Sequence, residues 1–435
     1  MKMGWKNIVA SLAICFLWLI TGSVVEAAVM DIPLQNGSNE SRELYIGDTG
    51  KILPVTEGLT DWAGQPVEVL RWEYESYDSS VLTIDVEGNY QAMAAGDATI
   101  YIQGYDAMEN CVFHASCSIV VSLDMSQVTM AQTSVKGYTT AFASWEGTLN
   151  LQSPVALNSE NTTLQCVSSN AMMNVYCYFK GDNTLALYTY SSGKTTLTLT
   201  INGKVFTVKL TVKEVSISKR GYVGIKGKSA TLKIKGTKDK VKWKSSNSKI
   251  VKVSQKGKIK LKKKGNAVIT ATIGDIKVGC AVSVVTKNRK KVINRATKIG
   301  TTWKYSQPKR MLKGFYDCSS LVWKSYKLEK KYFGSKSYAP VAASIAQWCK
   351  QKGKVITKAY HRNHIQKMKF QPGDLAFQTG ANNGRYKGIY HVEMFVGYAV
   401  SYYDTNGKAV LNELWAARPE GYYGGGLLVS RPTKK

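Results

Sequence analysis

Hydrophobic and polar residues alternate along most of the first two-thirds of the chain. Residues 196–201, "TLTLTI", and 205–212, "VFTVKLTV", place an apolar side chain at every second position. This period is typical of a strand with one buried face. Gly, Asn and Asp interrupt the runs at the short intervals of small β-sandwiches, so the pattern predicts all-β sandwiches in this part of the chain.

The pattern changes after residue 286. Apolar residues recur at helical spacing in 292–299, 319–328 and 342–350, which predicts three amphipathic helices. The stretch "QPGDLAF" predicts a turn followed by a strand, and "GIYHVEMFVGY" predicts another strand. We therefore expect a separate α+β domain over residues 287–435, called the last domain below.

Internal repeats divide the β-rich part. Two copies share a Trp, a Ser-rich turn and two glycines eight positions apart: Trp72, Gly88 and Gly96, and Trp243, Gly257 and Gly265. A third copy keeps Ser168, Ser169 and Asn170 but carries Cys166 in place of Trp. Such residues fill cores and form turns, so they indicate a fold and specify no chemistry.

These copies resemble the bacterial immunoglobulin-like modules of group 2. The resemblance implies module 1 at residues 29–124, a divergent module 2 at 125–213 and module 3 at 214–286, where the resemblance is strongest. It also implies that the modules act as spacers, display a neighbouring domain or bind carbohydrate at a cell surface.

The first residues have the layout of a secretory signal peptide. Lys2 and Lys6 precede an apolar run at 8–20, and small residues follow around Ala27 and Ala28. The run is short for a membrane span of about 20 residues, although an uncleaved anchor is the alternative. We expect residues 1–28 to be cleaved, and the mature protein to be secreted or cell-wall associated and not membrane-spanning.

Charge divides the chain into an acidic and a basic half. Residues 31–213 contain 9 Lys+Arg and 19 Asp+Glu, whereas residues 214–435 contain 48 and 10. A half this basic attracts polyanions in a salt-sensitive way. For an exported protein we expect peptidoglycan and anionic cell-wall polymers, or an anionic membrane face, as partners, and no nucleic acid.

Seven cysteines remain once Cys15 is removed with the signal peptide. Export permits disulfides, and the odd number leaves at least one thiol free. Cys111 with Cys117 and Cys166 with Cys177 are the pairs close enough in sequence to consider. Neither a CxxC motif nor a Cys/His cluster with zinc spacing is present, so we expect no metal and no cofactor.

Cys318 lies at the predicted start of a helix. Asp317 is a good N-cap residue, and Leu321, Val322 and Tyr326 form an apolar face beyond it. The positive end of the helix dipole favours a thiolate there. A nucleophile needs such a position, but a small buried cysteine also fits it, and helix position alone does not decide between the two.

A nucleophilic cysteine needs a base, which is usually histidine. Four histidines are present. His114 falls in module 1, and His361 and His364 fall in a basic, polar stretch. His391 lies inside the apolar strand "IYHVEMFVG", where alternation predicts that it shares a face with Glu393. It is either a hydrogen-bonded core histidine or the partner of Cys318.

Four motifs in order, "YDCSSLVW", "APVAASIAQW", "QPGDLAF" and "HVEMFVG", resemble the NlpC-type family of bacterial cell-wall cysteine peptidases. The stretch "INRATKIGTTWKY" before them resembles the family as well. The resemblance implies a papain-like fold, with Cys318 as nucleophile and His391 as base. It also implies that Tyr316, Asp317, Ser319 and Ser320 line the substrate site, and Ser320 replaces the glycine usual in the family.

The family also has a third residue, usually His, Asn or Gln on the next strand, that orients the histidine ring. No histidine follows His391, and the stretch at 398–419 is longer than usual. We therefore nominate Asn412 for this role, with Glu413 as the alternative. Glu393 shares the predicted face of His391 but belongs to the same strand.

The predicted architecture is thus multidomain, with immunoglobulin-like sandwiches followed by a papain-like α+β cysteine peptidase domain. The function that the resemblance implies is an exported peptidoglycan endopeptidase, which cleaves the stem peptide between D-glutamate, through its γ-carboxyl, and the diamino acid. An N-acetylmuramoyl-L-alanine amidase would use the same residues. The same sequence is also compatible with a non-catalytic, wall-binding adhesion protein and with an acyltransferase.

Overall fold

The computed structural model describes residues 29–61, 63–416 and 428–432. The predicted signal peptide lies outside these residues. In the part of the chain that is described, no helix is both long and apolar enough to cross a membrane.

Module 1 is a sandwich of two sheets with strand orders β1-β3-β6-β5 and β2-β8-β7-β4. Its strands are β1 Ile32–Gln35, β2 Asn39–Tyr45, β3 Thr49–Val55, β4 Arg71–Ser76, β5 Leu82–Ile84, β6 Asn89–Ala92, β7 Gly96–Tyr105 and β8 Cys111–Ser122. Alternate residues of β7 and β8 are buried between the sheets, as the period-two pattern predicts. Trp72 packs edge-on against Phe113 with ring centroids 5.1 Å apart.

Module 2 repeats this architecture with sheets β10-β13-β12 and β11-β14-β15-β9. Its strands are β9 Ser134–Thr139, β10 Trp145–Asn150, β11 Leu164–Ser168, β12 Tyr176–Gly181, β13 Thr184–Thr189, β14 Gly193–Ile201 and β15 Lys204–Glu214. Leucines and valines of β13, β14 and β15 form the core, together with the buried Trp145 of β10.

Module 3 has sheets β17-β24-β23-β20, β18-β22-β21 and β16-β19. Its strands are β16 Ser216–Ile217, β17 Gly221–Ile225, β18 Ser229–Thr231, β19 Ile234–Lys235, β20 Lys242–Ser245, β21 Val251–Val253, β22 Lys258–Leu261, β23 Gly265–Ile273 and β24 Ile276–Val285. Trp243 packs on the core. Gly257 has φ +72°, and a Cβ there would collide with the Leu232 carbonyl, so this turn requires glycine.

The last domain packs helices on an antiparallel sheet of order β27-β31-β28-β29-β30. Its helices are α1 Lys287–Thr302, α2 Cys318–Tyr326, α3 Ala342–Gln351 and α4 Arg362–Gln366. Its strands are β25 Lys304–Tyr305, β26 Phe315–Tyr316, β27 Val355–Thr357, β28 Leu375–Thr379, β29 Ile389–Tyr403, β30 Ala409–Ala416 and β31 Leu428–Ser430. The three predicted helices are confirmed, and Val392 and Met394 of β29 join α1, α2 and α3 in one core.

Module 3 is docked on the far end of β29. Arg220 donates from Nε to the Val400 carbonyl at 2.7 Å and from Nη2 to the Ser401 carbonyl. Asn266 donates from its amide to two carbonyls of the last domain at 3.0 and 2.8 Å. Ala281 of β24 is buried in one cluster with Phe395 and other residues of the last domain. The strand that carries His391 is therefore supported by module 3.

Candidate active site

Cys318 is the first residue of α2, and Asp317 caps this helix. The Asp317 carboxylate accepts the Ser320 backbone N–H at 2.7 Å, and the Ser320 hydroxyl accepts the Asp317 N–H at 2.9 Å. This reciprocal arrangement satisfies two donors that the helix itself leaves unbonded. It holds the half-buried Cys318 at the positive end of the helix dipole, as the sequence predicts.

Asp317 is also paired with a cation. Arg310 donates from Nη1 to Asp317 Oδ2 at 2.8 Å and to Ser319 Oγ at 3.0 Å. Asp317, Ser319 and Ser320 are all at most 4% exposed. The structure thus places these three residues beneath the helix start, where they support Cys318, and a direct contact with substrate stays a prediction.

His391 lies near the start of β29 with its side chain within hydrogen-bonding reach of Cys318. Burial lowers the pKa of His391, but hydrogen bonds and charges from Cys318 and Glu393 outweigh this and raise the pKa to about 9. The imidazole is therefore cationic at neutral pH. An imidazolium in this position balances the charge of a thiolate on Cys318.

Glu393 is the carboxylate that contacts His391 among the described residues. Its Oε1 lies 3.6 Å from His391 Nε2, and its side chain is 4% exposed. The two residues stand at i and i+2 of β29, so their side chains leave the strand in the same direction. The alternation of the strand predicts this shared face, although the family pattern favours a residue of the next strand.

The structure does not bring Asn412 or Glu413 to His391. Asn412 pairs with Ala399 across the ladder, eight positions along β29 from His391, which corresponds to roughly 25 Å of strand. Its side chain accepts a hydrogen bond from Arg362 at 2.8 Å. Glu413 accepts hydrogen bonds from Tyr360 and Arg362. Residues 417–427, which follow β30, lie outside the described residues.

Tyr305 is a site residue that the sequence motifs did not single out. Strand β25 pairs in parallel with β26, so Tyr305 lies beside Tyr316 and close to Cys318. The two rings pack edge-on with centroids 5.5 Å apart. Burial and the nearby Cys318 raise the pKa of the Tyr305 hydroxyl. The signal was the resemblance of "GTTWKY", which ends in this tyrosine.

The remaining histidines are not part of this arrangement. His361 and His364 lie at the start of α4, where the His361 N–H donates to His364 Nδ1 at 3.3 Å. Among the described residues, no group of three His, Cys, Asp or Glu side chains is placed to hold a metal ion.

The arrangement can support nucleophilic chemistry on a carbonyl. It combines a thiol at a helix start, a buried histidine beside the thiol and a carboxylate beside the histidine. The Cys318 backbone N–H lies at the helix start, and Tyr305 lies close to Cys318, so both groups can donate to an oxyanion formed there.

Comparisons with known proteins recognise the β-rich part of the chain. No curated protein matches the chain. Among solved structures, invasin, described as a bacterial integrin-binding protein, is similar with TM-score 0.31 and 12% identity over 55% of this chain and 57% of that one. A C-terminal intimin fragment has TM-score 0.25 and 13% identity over 54% and 85%. Domains 4 and 5 of the S-layer protein SbsC have TM-score 0.19 and 14% identity over 32% and 75%.

These scores are too low to carry an argument about function, and this chain spans little more than half of the invasin structure. A protein-family model gives a more specific match, which lies in the β-rich part of the chain and does not extend into the last domain. The peptidase resemblance of the last domain therefore rests on its sequence motifs alone. Residues 211–284, which include all of module 3 except its final residues, match the bacterial Ig-like domain of group 2.

Proposed function

We propose that the last domain is a cysteine-dependent amide hydrolase that cleaves peptidoglycan stem peptides, and that the protein works outside the cell or in the cell wall. The observation that carries this proposal is the contact of Cys318 with His391, which is itself held by Glu393. A buried His–Glu pair beside a cysteine at a helix start suits nucleophilic catalysis better than it suits core packing.

In the proposed reaction, the Cys318 thiolate attacks the carbonyl carbon of the scissile amide. The carbonyl oxygen becomes an oxyanion, and it receives hydrogen bonds from the Cys318 backbone N–H and the Tyr305 hydroxyl. His391 then donates its proton to the leaving nitrogen, the C–N bond breaks and a thioester remains on Cys318.

Water completes the cycle. The neutral His391 takes a proton from a water molecule, whose oxygen attacks the thioester carbonyl. The C–S bond breaks, the new carboxylic acid leaves and the thiolate–imidazolium pair is restored. Glu393 stabilises the imidazolium without contacting substrate.

The choice of substrate is supported by two features of the chain. The ordered motifs of the last domain resemble wall peptidases, and the bond implied joins D-glutamate, through its γ-carboxyl, to the diamino acid. The strongly basic half at residues 214–435 would hold the enzyme on anionic wall polymers. Cleavage between muramic acid and L-alanine is the alternative bond.

Surface binding without cleavage is the second candidate function. It is favoured by the family match of module 3 and by the sandwiches of modules 1 and 2, which carry no comparable site among their described residues. In that case the last domain would bind wall peptide or glycan, and the Cys318–His391 contact would be structural.

Digestion of purified peptidoglycan by the full chain separates these functions. The soluble products are analysed by mass spectrometry after labelling of new amino groups, which identifies the bond that is cut. Cys318→Ala is the test variant, and Cys111→Ser is the control because Cys111 is an exposed thiol of module 1. We expect products from the wild type and the control only. Binding of all three proteins without products from any would support the second candidate and reject the first.

A further inference from the structure

Module 2 brings together two thiols from its opposite sheets. Cys166 lies on β11 and Cys177 on β12, and these strands belong to different sheets. Both side chains are half-buried and pack against the same hydrophobic core. Strands β11 and β12 contact each other although they belong to different sheets, and the two thiols are near enough for each to change the pKa of the other.

The position of Cys166 has a consequence for the core of module 2. In modules 1 and 3, Trp72 and Trp243 occupy the equivalent position and pack between the sheets. Cys166 is much smaller, and Trp145 from β10 fills the core of module 2 instead. The space beside Cys166 is therefore available to the side chain of Cys177.

The other pair considered from sequence cannot form a bridge. Cys111 and Cys117 both lie on β8, six residues apart in an extended strand. Their Cα atoms are roughly 20 Å apart at the rise of a strand, whereas a disulfide requires about 4.4–6.8 Å. Cys111 is also exposed while Cys117 is buried in the core.

We propose that Cys166 and Cys177 form a disulfide that joins the two sheets of module 2 in the exported protein. It ties the middle of β11 to the start of β12 across the core, in the module where a cysteine replaces the tryptophan found at this position in modules 1 and 3. It does not depend on the function proposed for the last domain.

The two thiols interact, since each changes the pKa of the other. The attacking species in disulfide formation is a thiolate, and either cysteine of the pair can supply it.

The oxidant is a disulfide donor of the oxidising compartment. One cysteine of the pair attacks, as its thiolate, one sulfur of the donor, whose other sulfur leaves as a thiolate, and a mixed disulfide forms. The second cysteine loses its proton and attacks the first cysteine's sulfur in the mixed disulfide, which releases the second donor thiol. The two cysteines lose two hydrogens and two electrons, and the donor disulfide becomes two thiols.

Peptide mapping of the full chain under non-reducing conditions tests the proposal. The protein is exposed to oxidised glutathione, its free thiols are alkylated and the digest is analysed by mass spectrometry. We expect one linked species that contains Cys166 and Cys177 and is two hydrogens lighter than the separate peptides. The exposed Cys111 should be alkylated or carry glutathione in the same sample, and it should not be linked to another peptide of the chain.

Complete alkylation of both Cys166 and Cys177 after this treatment would overturn the proposal. A bond from either residue to another cysteine would overturn it as well. Cys166→Ser and Cys177→Ser serve as a second measurement, since each should lose the linked species and leave its partner open to alkylation. A linked species that persists in either variant would contradict the assignment.

Discussion

Two cysteine sites in this chain show how neighbours decide the chemistry of a thiol. Cys318 and Cys166 are both half-buried. Cys318 stands at a helix start beside His391, a base that can become a cation. Cys166 stands in a β-sandwich beside Cys177, a second thiol. In our two proposals, the first arrangement prepares a sulfur to attack a carbonyl, and the second prepares two sulfurs to bond to each other.

The two cysteines also differ in the number of structural elements that form their surroundings. Cys318 depends on residues from several elements: the cap on α2, the histidine on β29 and the tyrosine on β25. The pair in module 2 needs two strands only. We therefore expect changes at the first site to affect catalysis strongly, and changes at the second to affect the stability of module 2 without affecting catalysis.

Removal of His391 should have the largest effect. In His391→Ala the thiolate loses its cation and the leaving amine loses its acid, so hydrolysis should fall on the order of 10³-fold. The rate of peptide release from peptidoglycan measures this effect. His361→Ala is the control and should retain activity, because His361 lies in the α4 region away from Cys318. Equal activity of His391→Ala and the wild type would contradict the proposal that His391 acts with Cys318, which is what distinguishes this cysteine site from the one in module 2.

Loss of the module 2 bond should come next. The double variant Cys166→Ala/Cys177→Ala should lower the free energy of unfolding of module 2 by about 3 kcal/mol, the cost expected for opening a loop of this length. Urea denaturation of the full chain, followed by limited proteolysis of module 2, measures it. Hydrolysis should be unchanged. A large loss of hydrolysis would show that the two cysteine sites are coupled.

Glu393→Gln should have a smaller effect on catalysis. A hydrogen bond to a charged group contributes about 1.5–3 kcal/mol, so we expect a loss of about 10- to 100-fold. The pKa of His391, about 9 in the wild type, should fall, and the alkaline limit of activity should move to lower pH. Glu413→Gln is the matched control, and an identical shift in that variant would argue against a role for Glu393.

The same raised pKa predicts a pH dependence of stability. The folded state raises the His391 pKa above its ordinary value of 6.5 to about 9. The contribution of His391 to the free energy of unfolding is therefore fully present below pH 6.5 and is lost as the pH rises through 9. Thermal unfolding of the wild type should therefore show a decrease over this range that is reduced in Glu393→Gln. The same decrease in both proteins would assign it to other groups.

Asn266→Ala should have the smallest effect of the four variants. It leaves the Met368 and Phe370 carbonyls without their donor and should lower the free energy of unfolding of the last domain by about 1–2 kcal/mol. Urea denaturation measures it, with exposed Lys256 changed to Ala as the control. The Cys166–Cys177 bond should form normally in Asn266→Ala, and its loss would contradict the independence of module 2.

Much of the fold and of the site could be predicted from local sequence patterns. Periodicity located α1, α2 and α3, and Asp317 together with the apolar face of α2 located Cys318 at a helix start. Both are local properties, because capping and amphipathicity depend on residues a few positions apart. His391 was singled out because a histidine in an apolar strand needs a polar partner.

Local patterns could not decide between Glu393 and Asn412 as the partner of His391, and they could not identify the partner of Cys166. Strand β29 is longer than its motif, and two register shifts in its pairing with β30 carry Asn412 to the far end of the strand. The sequence also did not show which of the two cysteine pairs can form a disulfide. Distance along the chain does not reveal that β8 is continuous through both Cys111 and Cys117. Such properties depend on register and on sheet packing, which are decided by the folded core.

The most direct test compares peptide release from peptidoglycan by the wild type and by Cys318→Ala, at equal amounts of wall-bound protein. A catalytic pair of Cys318 and His391 predicts that the wild type releases stem peptides with a new amino terminus or amino group, and that Cys318→Ala binds the wall equally well but releases none. Equal release by both proteins, or no release by either, would contradict the claim that Cys318 and His391 form a catalytic pair.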